Sequence, residues 1–83
     1  RGWQSIWDGL TPNQRRFLRG VARAGAEPHP FSASFLERSG LGTAASAQRA
    51  ASSLEERGLL SRASGGALRV TDPLLGRWLA GDG

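Results

Sequence analysis

Small residues at helical spacing constrain this chain more than any other feature. Ala47, Ala50, Ala51 and Leu54 recur at i, i+3, i+4 and i+7, the stripe with which an amphipathic helix faces a core. Thr43 precedes the stripe as an N-cap and Gly58 closes it, so a helix is expected over Ala44 to Arg57. A face built of alanines lets a second helix approach closely. The segment just upstream carries Phe31, Phe35 and Leu36, with Ser32 or Ser34 as cap, and Ser39-Gly40 ends it after about two turns. Two helices joined by a short glycine-containing turn form a helix-turn-helix.

The stretch after the second helix decides the variant. Leu59 to Ala63 and Ala67 to Thr71 read as strands, with Leu68 and Val70 alternating against Arg69 and Thr71. Ser64-Gly65-Gly66 between them is hairpin turn chemistry. A helix-turn-helix running directly into a hairpin is a winged helix. Upstream, Thr11-Pro12 reads as a cap followed by proline at the first helical position. That helix runs over 11–24, with Phe17, Leu18, Val21 and Ala22 on one face, Arg15, Arg19 and Arg23 on the other, and Gly25 beyond. Ala26 to Pro30 holds two prolines around His29 and reads as a loop.

Both ends add helices. Trp3, Ile6, Trp7 and Leu10 form a short stripe that should stop near Gly9. Asp72-Pro73 caps a last helix bearing Leu74, Leu75, Trp78 and Leu79, and Gly81-Asp82-Gly83 reads as a frayed tail. The expected fold is mainly α with a small antiparallel β-hairpin: a winged helix-turn-helix with an extra N-terminal helix. A single domain is expected over 1–83, comprising an N-terminal helix (1–10), a three-helix core (11–57), a wing (59–71) and a C-terminal helix (72–80).

Several functional classes fall away on composition. Without cysteine there is no disulfide or thiolate metal site, and His29 alone builds neither a metal centre nor a catalytic triad. No apolar run approaches the roughly 20 residues of a membrane helix. The chain begins at Arg1 with no charged-then-apolar leader, so it reads as a cytoplasmic domain cut from something larger. No paired carboxylates flank a nucleophile and Gly65-Gly66 has no phosphate-loop context, so no enzyme and no cofactor are expected. The net charge of +4, all of its basic residues arginine, permits an anionic partner without demanding one.

The candidate reading surface is the outward face of helix 44–57: Ala45, Gln48, Arg49 and Ser52, with Thr43 at its start. Arginine pairs bidentately with guanine and glutamine with adenine, while alanine and serine let a backbone approach the groove. Glu55 and Glu56 lie at the far end, where they oppose deep insertion. Arg62 and Arg69 flank the hairpin as phosphate or minor-groove contacts, although arginine on an exposed strand also guards against edge pairing. The row Arg15, Arg19 and Arg23, with Arg16, reads either as phosphate contacts, as a docking face for an acidic surface, or as a plain solvated face. Trp78 is expected in the core and Trp3 partly exposed.

Leu10-Thr11-Pro12-Asn13-Gln14-Arg15, the run Leu54 to Leu60 (Leu-Glu-Glu-Arg-Gly-Leu-Leu) and the run Val70 to Leu79 (Val-Thr-Asp-Pro-Leu-Leu-Gly-Arg-Trp-Leu) resemble the C-terminal winged-helix module of prokaryotic STAND/AAA-type ATPases. The resemblance spans residues 10–80. It implies a parent chain whose ATPase core lies outside this sequence, because no Gly-x-x-x-x-Gly-Lys-Ser/Thr motif and no lysine occur here. Such modules carry bulkier residues at the positions of Ala47 and Ala51, so this core must be filled from Phe17, Phe31, Phe35 and Trp78. Two functions are expected from different classes. One is a module that binds double-stranded DNA through helix 44–57. The other is an interaction module that packs on the ATPase core and regulates it without DNA. The domain alone is expected to be monomeric.

Overall fold

Each helix begins where its side-chain chemistry can satisfy the first free backbone amides. The computed structural model describes residues 2–81. Its elements are α1 (Gly2–Asp8), α2 (Pro12–Ala24), α3 (Ala33–Ser39), α4 (Ala44–Glu56), β1 (Leu60–Arg62), β2 (Leu68–Val70) and α5 (Pro73–Gly81). Thr11 caps α2 by accepting the Gln14 amide at 3.2 Å, and the Gln14 side chain returns to the Thr11 amide at 3.0 Å. This closes a capping box on top of the proline start. Ser32, not Ser34, caps α3, and Thr43 caps α4. Asp72 Oδ1 accepts the Leu74 amide at the start of α5.

The helix ends depend on glycine. Gly40 takes φ 78°, and the Leu41 and Gly40 amides fold back onto the Leu36 and Glu37 carbonyls. Gly58 repeats this after α4, with Leu59 donating to Leu54. Both are Schellman closures, in which the left-handed residue turns the chain without a Cβ penalty. α4 therefore stops at Glu56, one residue before the expected end, with Arg57 as its C-cap.

The core forms where α2, α4, α5 and the hairpin meet. Phe17, Leu18 and Val21 of α2 pack against Ala47, Ala50, Ala51 and Leu54 of α4, with Phe35, Leu60, Leu68, Leu75 and Leu79 around them. Phe17 stacks with Phe31 at 5.9 Å between ring centroids and meets Phe35 edge-on at 5.5 Å. The alanine stripe is fully used, as its spacing predicts. The core is filled differently from the expectation in one respect. Trp78 is only partly buried; it lies 6.1 Å from Trp3 and edge-on to Trp7 at 6.5 Å. The three tryptophans form one aromatic cluster that fastens α1 to α5, because their N–H groups need an edge near water.

β1 and β2 pair antiparallel, with Leu60 opposite Val70, Ser61 opposite Arg69 and Arg62 opposite Leu68. The regular strands are shorter than the sequence pattern, although Ala63–Ala67 and Leu59–Thr71 backbone bonds prolong the ladder. Mainly helical with one small antiparallel hairpin, the chain has the winged helix architecture. The 26–30 segment does more than connect. Glu27 exchanges both backbone bonds with Leu68, at 2.8 and 3.0 Å, adding a one-residue third strand beside β2. Glu27 is 5% exposed, and its carboxylate accepts the His29 amide at 2.9 Å and meets Arg38 at 3.5 Å. A buried carboxylate in a proline-bracketed loop is tolerable because it is bonded on both oxygens. Gly81 ends α5, and the remainder of the expected tail, Asp82-Gly83, lies outside the described residues.

Candidate nucleic-acid interface

α4 is oriented by its alanines, which are buried against α2, so the residues between them face solvent. Ala45, Gln48, Arg49 and Ser52 are all exposed and line one shallow depression together with Ser53 and Glu56. The five candidate residues on and before α4 therefore lie on one side of the molecule. Thr43 plays a local part: its hydroxyl accepts the Ser46 amide at 3.1 Å and donates to Ser46 Oγ at 3.0 Å. Arg49 also borders a small hollow with Thr11, Asn13 and Gln14 at the start of α2. That junction is tied by Gln14 Nε2, which donates to Ser53 Oγ at 3.0 Å.

The hairpin divides its two arginines. Residues directly opposite in an antiparallel pair share a face, and neighbours along a strand alternate. Arg62, opposite Leu68, therefore lies on the face of Leu60 and Val70; Arg69, opposite Ser61, lies on the other. Arg62 turns toward α4 and binds Glu55 at 3.0 Å. Arg69 lines a separate groove with Arg77, Pro73 and Gly25. One approaching surface cannot take both as equivalent contacts. The Arg62–Glu55 pair also removes part of the repulsion expected from the far end of α4, leaving Glu56 as the exposed acid there. The turn at Ser64–Gly66 carries no charge, and Gly65 and Gly66 both have positive φ.

One basic residue belongs near this face although the helical pattern groups it elsewhere. A Cβ placed on Gly40 would lie 3.6 Å from Arg16 Cδ, so the Arg16 side chain runs across the turn between α3 and α4. Its position one residue off the 15-19-23 row is the signal for this, since one residue is about 100° of helix. The row itself is not a plain solvated face. Arg15 donates from Nε to the Trp7 carbonyl at 3.0 Å and from a terminal nitrogen to the Asp8 carbonyl at 3.1 Å. The guanidinium groups of Arg15 and Arg19 lie 5.5 and 4.7 Å from the Trp7 ring centre. Cation–π stacking and capped carbonyls thus hold the end of α1 on α2.

Among the described residues no cluster of three His, Asp or Glu side chains could hold a metal ion, and no helix is long and apolar enough to cross a membrane. A family profile described as "Probable winged helix domain" matches residues 1–81. No curated protein matches the chain, and no solved structure does.

Proposed function

Because the chain belongs to the probable winged helix domain family, we propose that it is a DNA-binding module that reads duplex through the outer face of α4. One observation carries this reading. Gln48 and Arg49 stand side by side, exposed and free of any acidic partner among the described residues, between the small residues Ala45 and Ser52. That combination lets a helix enter the major groove and offers base edges a two-donor arginine and a donor-acceptor glutamine. In this reading Arg16, over the turn ahead of α4, meets phosphate directly, and Arg62 does so by exchanging its Glu55 partner for phosphate. Arg69 belongs to the opposite face of the hairpin and is left out of this surface. The reading calls for no catalysis and no cofactor, and such a module acts in the cytoplasm.

The resemblance to ATPase C-terminal modules supports a larger setting, in which the chain is the last domain of an ATPase or regulator and also meets that protein's core. A regulatory role without DNA is the second reading. The neutral hairpin tip favours it, because a wing usually adds phosphate contacts. Fluorescence anisotropy with a mixed-sequence duplex pool separates the two. Arg49→Ala is expected to cost about 1–3 kcal/mol of duplex affinity and to relax preference at one base pair. Folding should be unaffected, since the side chain is exposed. Unchanged duplex affinity in this variant would favour the second reading.

A further inference from the structure

A second concavity lies away from the outer face of α4. It is a groove of about 700 Å³ where α1, α2 and α3 meet, lined by Arg15, Arg16, Arg19, Arg23 and Arg38 with Ser39 and Trp7, and no acidic residue lines it. The two ion pairs among the described residues are Arg38–Glu27 and Arg62–Glu55. Arg19 and Arg23 therefore face the groove with no acidic partner among the described residues. Two polar atoms of lining residues, Arg19 Nε and Ser39 Oγ, are shielded from solvent and lack any hydrogen-bond partner.

The spacing selects the kind of anion. Arg15, Arg19 and Arg23 repeat every four residues, which is about 6 Å along a helix axis. Alternate residues of an extended chain are spaced about 6.6–6.8 Å apart. Carboxylates at every second position of an extended segment thus fall nearly in register with the arginine row. We propose that this groove is a docking site for an extended acidic segment of polypeptide, with carboxylates bound by Arg19 and Arg23. The groove shares Arg16 with the surface assigned to DNA, whereas Arg19 and Arg23 belong to the groove alone.

The test uses the chain as it stands, with tryptophan fluorescence as the readout because Trp7 lines the groove. The probe is a synthetic peptide of alternating glutamate and serine, compared with a peptide of the same composition with its glutamates in one block, and with inorganic tripolyphosphate. The alternating peptide should bind at least about tenfold more tightly than either comparison, a difference of about 1.4 kcal/mol. Arg23→Gln, at an exposed position, should lose most of that preference while its duplex affinity changes by less than about threefold. Equal binding of all three probes would overturn the proposal, since charge count alone would then explain it. So would absence of binding, or loss of duplex affinity in Arg23→Gln as large as in Arg49→Ala, which would make the groove part of the DNA surface.

Discussion

Phe17→Ala is expected to remove about 3–5 kcal/mol of stability, the cost of emptying a fully buried aromatic site. A chain of this length has about 4–12 kcal/mol in total at ordinary per-residue values, so the loss is a large share of its stability. The reason is local. Phe17 is 0% exposed and holds Phe31 and Phe35 against the alanine face of α4. Alanines opposite the gap cannot extend into it, so the cavity cannot collapse. Phe31→Ala should cost about half as much, because Phe31 is only partly buried. Urea unfolding monitored by far-ultraviolet circular dichroism measures both. A loss below about 1 kcal/mol at Phe17 would mean that the core is packed elsewhere.

Gly20→Val should be nearly as damaging, at about 3 kcal/mol, although glycine inside a helix is ordinarily a defect worth about 1 kcal/mol to repair. A Cβ on Gly20 would run into Ser39 Oγ and would lie 3.0 Å from Phe35 Cζ and 3.1 Å from Ser39 Cβ. Gly20 is thus the point where the Ser39 and Phe35 side chains of α3 pack directly on the α2 backbone. Ser39→Gly should restore part of the loss, with a coupling of about 1 kcal/mol in a double-mutant cycle. Additive losses would show that the two residues do not meet.

Local chemistry makes most of the fold legible in the sequence. Thr11, Ser32, Thr43 and Asp72 cap as their side chains dictate, Gly40 and Gly58 close helices, and the alanine stripe of α4 is buried as its period requires. These signals act within a turn or two of chain, so no tertiary knowledge is needed. The bridging role of Glu27 is not legible, because a single paired residue ahead of two prolines has no period. Nor are the tryptophan cluster and the arginine–Trp7 stacking, which join elements whose relative placement no local pattern encodes. The separation of Arg62 from Arg69 is available in principle. A hairpin centred on Gly65 pairs 62 with 68 and 61 with 69, and strand alternation then puts the two arginines on opposite faces.

The candidate site is legible to the extent that it lies on one helix. Ala45, Gln48, Arg49 and Ser52 are readable because burial of their neighbours turns them outward. Arg16 is not, since its approach to Gly40 depends on how α2 crosses the turn before α4. The arginine row reads as a face of one helix, whereas the groove it lines needs α1 and α3 as walls. Charge patterns along a single element cannot report a concavity made by three.

Amide chemical-shift mapping during titration with a mixed-sequence duplex pool tests the α4 assignment most directly. The α4 interface predicts perturbations concentrated from Thr43 to Ser52 and at Arg16, diminishing as salt is raised because phosphate contacts release counterions. Perturbations confined to the groove of Arg19, Arg23 and Arg38, or none at all at low salt, would contradict it.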